Sequence, residues 1–111
     1  MNIIVKRSIL YYCEKYPLAR LSLLTWYHEI SKQEFKHFNE LKAVYGTASL
    51  IAQSRVIFNI KGNEFRLIIS VNFRQQAAYI IWFGTHVEYN RIDAASVEFN
   101  TRILTYNANK K

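Results

Sequence analysis

Seven side chains in the second half of the chain can grip and cleave a phosphodiester: Arg55, Lys61, Arg66, Arg74, His86, Tyr89 and Arg91. Only Glu64, Glu88 and Asp93 oppose them nearby. Histidine titrates near neutrality, so His86 suits general acid or base work. Arginine grips phosphate through paired N–H bonds and stabilises charge that develops in a transition state. Tyrosine stacks on a base or gives up a proton. These groups meet the needs of RNA cleavage by its own 2′-OH. The hydroxyl loses a proton, the five-coordinate phosphorus has its charge held, and the 5′-oxygen gains a proton. Such a reaction leaves a 2′,3′-cyclic phosphate and a 5′-OH. Each residue also fits a plainer role. Arg66 beside Glu64 fits solvent-facing strand charges, Lys61 at a turn tip fits solubility, Thr85 before His86 fits a helix cap, and Tyr89 fits a packed aromatic. Composition alone stops at a basic domain that meets RNA.

Other chemistries lack their patterns. His28, His37, His86 and Cys13 give no standard metal-ligand spacing, and there is no HExxH, CxxC, EF-hand loop, Walker A, GxGxxG or GxSxG. No metal and no cofactor are expected. His28 and His37 read as ordinary surface or boundary residues, and Cys13 as a small core residue.

The elements that must hold the cationic cluster follow from periodicity. The chain has 111 residues, half of them hydrophobic and 15% aromatic, which suits one domain over 1–111 with a modest core. Ile3–Val5 reads as an edge strand. Ile9, Leu10, Cys13 and Tyr16 recur on one helical face, and Leu23, Trp26, Tyr27 and Ile30 on another. A helix from Arg7 and a second from about Pro17 to Ser31 would form an antiparallel pair, since proline is tolerated in a first turn. Ser31–Glu34 fits a capping box, Asn39 the cap of a short helix over 41–45, and Gly46 its stop.

The second half has strand chemistry. Arg55–Ile60 is β-branched and aromatic, and Lys61-Gly62-Asn63 is a turn sequence. Phe65, Leu67, Ile69 and Val71 alternate, and Phe73–Gln76 makes the next turn. Ala77–Phe83 is almost wholly apolar and reads as a central strand covered on both faces. After Gly84 the chain should leave the strand for a short helix. Residues 94–111 form a more polar extension. Val97, Ile103 and Leu104 offer it a last element, and fraying is expected from Asn107. The predicted class is α+β, helices first and then a three-strand antiparallel meander.

Net charge is +7, from 15 Lys and Arg against 8 Asp and Glu. Apart from Lys110 and Lys111 at the end, the cations are scattered, which suits a folded surface facing an anionic partner. A single cysteine, no signal-peptide pattern and no stretch of ~20 apolar residues lead to the expectation of a cytoplasmic protein with no membrane contact.

Two segments carry a family resemblance. Arg55-Val-Ile-Phe-Asn-Ile-Lys-Gly-Asn-Glu-Phe-Arg-Leu-Ile68 resembles the hairpin RVVFNIKGNKYRL of the HigB toxins, a branch of the RelE-like toxins. Gly84-Thr-His-Val-Glu-Tyr-Asn-Arg-Ile-Asp93 is similar to their GTHAEYDKID signature. Trp26-Tyr27 and Thr47-Ala48-Ser49 add to the likeness, which spans roughly residues 2–94. It implies a RelE-like fold, two N-terminal helices packed on a small, mostly antiparallel sheet. It implies a ribosome-dependent mRNA endonuclease and a helix-turn-helix antitoxin of the HigA type, with operator DNA met only through the toxin–antitoxin complex. The matching site positions are Lys61, Asn63 and Arg66 in the hairpin and His86 and Tyr89 in the second motif. By this likeness Arg66 and Lys61 hold phosphate, His86 is the acid or base, and Tyr89 stacks a base or donates a proton. Arg55, Arg74 and Arg91 would add RNA contacts. Asn90 departs from the family's usual Asp, and the tail after Asp93 is longer than expected. Two rivals compete with an enzyme: a non-catalytic RNA- or ribosome-binding protein, and a degenerate toxin that only binds its antitoxin.

Overall fold

The structure, a computed structural model, describes residues 1–52 and 54–107. Lys110 and Lys111 lie outside the described residues, and of the fraying expected from Asn107 onward only Asn107 itself lies within them.

In α1 (Arg7–Lys15), Ser8, Ile9, Tyr12 and Cys13 fall on one helical face and are buried. Leu10, expected on that face, is 44% exposed, and Ser8 takes its place. Pro17 opens a single 3₁₀ turn, Pro17–Ala19, where its missing N–H costs no bond. That turn runs into α2 (Arg20–Ser31), which buries Leu23, Trp26 and Ile30 and packs against α1. Two expected caps are absent. Ser31 is the last residue of α2, and its hydroxyl donates to the Tyr27 carbonyl at 2.6 Å, so this segment ends a helix instead of opening one. Helix α3 (Phe38–Val44) starts after His37, with Asn39 inside it.

The sheet has five strands in the order β1-β5-β4-β3-β2. The expected meander is its middle: β3 (Arg55–Ile60), β4 (Phe65–Asn72) and β5 (Ala77–Thr85), each antiparallel to the next. Strand β1 (Asn2–Ile4) lies parallel to β5 on one edge, one residue earlier than periodicity suggested. Val5 cannot extend it, because its φ is +63°. Strand β2 (Ser49–Ile51) was not anticipated. Three partly exposed residues are too few to show alternation.

The reading of β5 as central and doubly covered is corrected. Strand β4 is central, and Tyr79 of β5 is 46% exposed. The unbroken apolar run has another cause. Ile68 pairs with Trp82 while Ile69 pairs with Ile80, so Ile81 is an extra residue in a β-bulge. The alternation slips by one there, and Ile80 and Phe83 both join the core.

One face of the sheet meets the helices. Phe58, Ile60, Phe65, Leu67, Ile69 and Phe83 share a buried cluster with Leu23, Trp26 and Ile30. The outer face carries Arg55, Arg66, Ile68, Trp82 and Gly84 by register. The tail returns along this side to α1. The Arg55 guanidinium donates to the Ala94 carbonyl at 2.9 Å, and Phe99 packs against the core. A 3₁₀ helix, Thr101–Thr105, is capped by Asn100 and buries Ile103 completely. Arg7 donates to the Leu104 carbonyl, and the Tyr106 hydroxyl donates to Glu14. Among the described residues no helix is long and apolar enough to cross a membrane.

Candidate functional site

The β3–β4 turn and the end of β5 meet at one corner of the sheet. Ile60 pairs with Phe65 and leaves Lys61–Glu64 as the turn, with Lys61 at φ +56° and Gly62 at +64°. Glycine holds that conformation freely, whereas Lys61 is strained by it. Phe65 also pairs with Thr85, so the residue after Thr85 emerges beside the turn. There the His86 N–H donates to the Glu64 carbonyl at 2.9 Å. This bond adds to the Phe65–Thr85 and Arg66–Gly84 pairing that joins the two sequence motifs.

Helix α4 (His86–Tyr89) is a single turn fixed at its start by a full capping box. Glu88 N–H donates to the Thr85 hydroxyl at 3.1 Å, and Thr85 N–H donates to the Glu88 carboxylate at 2.8 Å. The Tyr16 hydroxyl donates to the same carboxylate oxygen at 2.7 Å. Burial pushes the Glu88 carboxyl up, but the hydrogen bonds from Thr85 and Tyr16, helped by the Lys15 charge, hold it below its ordinary value. Burial, and then the Glu88 bond and charge, raise the Tyr16 hydroxyl well above its ordinary value. Tyr16 packs its ring on both Phe65 and Phe83, which are stacked with centroids 5.3 Å apart. The helical layer thus reaches through Tyr16 to α4.

The side chains at this corner are arranged unequally. The Lys61 ammonium pairs with Glu64 at 2.7 Å. Arg66 is gripped by Asn63: one guanidinium nitrogen donates to the Asn63 carbonyl at 3.0 Å and the other to its side-chain oxygen at 2.6 Å. Glu64 therefore neutralises Lys61 and leaves Arg66 without a carboxylate partner in this network. The Arg66 guanidinium lies over the Tyr89 ring, 6.0 Å from its centroid. Imidazole nitrogen Nδ1 of His86 is buried without a hydrogen-bond partner, so Nε2 is the nitrogen left to meet a substrate.

Lys61, Asn63, Arg66, His86 and Tyr89 are thus brought together. Arg91 lies exposed just beyond α4, its N–H bonded to the Glu88 carbonyl. Arg55 and Arg74 are not part of the cluster. Arg55 pairs with Ser70 and holds the tail. Arg74 is exposed in the β4–β5 turn, at the other end of a strand roughly 25 Å long.

Sequence reasoning does not place Tyr16, Glu88, Trp82 or Gly84 in the site. Thr85-x-x-Glu88 was visible as a capping box in the sequence. Tyr16 shows in the sequence only as a helix-face residue, and nothing local ties it to the site, since its partner is 72 residues away. Gly84 is required by packing: a Cβ there would stand 2.6 and 2.7 Å from the Trp82 ring. Among the described residues, no group of three or more His, Cys, Asp or Glu side chains is placed to hold a metal ion.

A family model described as the RelE-like toxic component of a toxin–antitoxin system, HigB toxin, matches residues 19–92. The chain is 33% identical over 92 residues to the mRNA interferase toxin HigB of Escherichia coli (strain K12), covering 81% of the chain and 88% of that protein. The mRNA interferase HigB of Escherichia coli O157:H7 and that of Shigella flexneri match to the same extent. The Lys61–Glu64 turn and all but the last residue of the Gly84–Asp93 motif fall inside the matched segment, and the chain belongs to the HigB toxin family.

Proposed function

We propose that this toxin is an endoribonuclease that cuts mRNA on the ribosome and so stops translation. One observation carries the reading: the Glu64 carbonyl–His86 N–H bond joins the start of α4 to the hairpin turn that carries the cations. The names of the relatives, mRNA interferases, support the same reaction.

In the proposed reaction the 2′-OH of one nucleotide attacks the adjacent phosphorus, and the 5′-oxygen leaves. Arg66, oriented by Asn63, presents its N–H groups to the phosphate. Lys61 supplies a second positive charge once phosphate displaces Glu64, an exchange of low cost because exposed ion pairs contribute only about 0–1 kcal/mol. His86 moves a proton through Nε2, at the 2′-oxygen or at the 5′-oxygen. Tyr89 stacks on a base or, where His86 takes the 2′-proton, donates a proton to the 5′-oxygen; a proton that neither side chain moves passes to or from water. Arg91 adds a backbone contact near the site, while Arg55 and Arg74 lie too far away to join the chemical step. The partner is a HigA-type helix-turn-helix antitoxin, through which the complex reaches operator DNA, and the compartment is the cytoplasm.

The test is cleavage of a defined mRNA by purified protein, with and without ribosomes, beside His86→Ala. Cuts confined to translated mRNA, ending in 2′,3′-cyclic phosphate and 5′-OH and absent from the variant, are expected. Equal cutting of naked RNA would remove the ribosome from the reading. Products with 3′-OH and 5′-phosphate ends would rule out 2′-OH attack. No cutting under either condition would favour a binding protein or a degenerate toxin.

A further inference from the structure

The outer face of the sheet carries an aromatic group next to the proposed cleavage site that none of the roles above uses. Trp82 pairs in register with Ile68, and Gly84 pairs with Arg66, so indole and guanidinium project from neighbouring positions on the same face. The Trp82 and Tyr89 ring centroids are 6.2 Å apart with planes inclined at 53°. Tyr89 in turn has the Arg66 guanidinium over its face. Ile68 is fully buried beneath this group, whereas Trp82 and Tyr89 both keep accessible surface. The six-membered ring of the indole lies against the bare Cα of Gly84, where no other residue would admit it.

We propose that Trp82 is a nucleobase-stacking residue, forming with Tyr89 and Arg66 a platform for one unpaired base of the RNA beside the scissile bond. This assignment rests on the ribonuclease reading for its ligand. The chemistry of the three groups supports it. Unpaired bases in single strands stack on aromatic rings and on guanidinium planes, and such stacking tolerates any base because every base has a π-face. Within the platform Arg66 links two jobs, holding the phosphate with Lys61 while Trp82 fixes the base so that the 2′-OH lines up with the phosphorus.

Intrinsic fluorescence tests the platform directly. The chain has two tryptophans, and Trp26 is only 4% exposed, so a change on binding reports Trp82. The probe is a short single-stranded oligonucleotide with 2′-O-methyl groups, which cannot be cut, carrying a dye so that its anisotropy reports binding independently. Saturable quenching of tryptophan emission at the concentrations where anisotropy rises is expected. Trp82→Ala and Trp82→Leu should weaken binding by about 5- to 150-fold, and Trp82→Phe should restore most of it, as stacking predicts. Leucine keeps apolar volume without a π-face, so a packing role alone would tolerate it. Unchanged emission while the probe is bound overturns the proposal. So does equal affinity of Trp82→Leu and wild type, or failure of the probe to bind at millimolar concentration. Quenching retained in a protein that cuts no RNA would sink the ribonuclease reading and leave the platform standing.

Discussion

The family match ends at residue 92, yet the core does not. Ile103 has no exposed surface and belongs to the same buried cluster as the sheet and helices. Ile103→Ala should therefore destabilise the whole fold. Removing three buried carbons forfeits about 2.4 kcal/mol of transfer free energy, and an unfilled cavity brings the expected loss to about 3–4 kcal/mol. At about 2.1 cal/mol/K per residue the chain unfolds with an entropy near ~0.23 kcal/mol/K, so the melting temperature should fall by roughly 13–17 °C. Calorimetry or thermal circular dichroism measures this. Leu104→Ala, at a side chain 48% exposed, serves as the control and should move the melting point by only a few degrees. A drop of less than about 3 °C for Ile103→Ala would show that the tail is not part of the cooperative unit, and the argument from burial would fail.

Other perturbations reach different parts of the molecule. The Gln76 side chain accepts from Phe35 N–H at 3.1 Å and donates to the Phe35 and Phe73 carbonyls, so Gln76→Ala should cost about 1–3 kcal/mol in urea unfolding. An unchanged midpoint would mean that water replaces the amide at no cost. Lys61→Gly relieves a left-handed lysine and removes a site cation. Stability should hold or rise by as much as ~1 kcal/mol while RNA cleavage falls at least tenfold. Loss of both together would make Lys61 a structural residue. For Glu88 the folded carboxyl lies below its ordinary value, so its contribution is complete above the unfolded value of about 4.3 and is lost as pH falls through the lower folded value. Acid unfolding of Glu88→Gln should lack this component. Parallel curves for the two proteins between pH 5 and pH 3 would show that the cap bonds do not favour the charged form.

Local chemistry made some parts legible. The ends of β3 followed from β-branched and aromatic residues bounded by Lys61-Gly62-Asn63, and α2 followed from the 3.6-residue recurrence of Leu23, Trp26 and Ile30. What escaped was set by distant parts of the chain. Strand β1 could be recognised as an edge, but its parallel pairing with β5 depends on residues 75 positions away. The bulge at Ile81 hid which side of β5 faces the core, because an apolar residue stands on both sides of the slip. The Ser31 capping box failed since a serine hydroxyl at a helix C-terminus bonds backward to the preceding turn. In the site, residue types pointed to Lys61, Arg66 and His86, but not to how they pair. Glu64 lies near both cations in sequence and pairs with Lys61, while Asn63 takes Arg66. Turn geometry decides that pairing, and no spacing rule contains it.

The Lys61–Glu64 pair has a consequence for how the toxin meets ionic solutions. A free lysine that binds phosphate helps displace condensed counterions from the RNA, and each such contact steepens the fall of affinity with salt. Lys61 already holds an anion of its own. Phosphate that takes its place sets a carboxylate free, which recruits a cation back from solution. The ion count of the exchange is close to even. Counting lysines and arginines therefore overstates the salt sensitivity of a Lys61–phosphate contact, which should outlast one made by an unpaired surface cation as ionic strength rises.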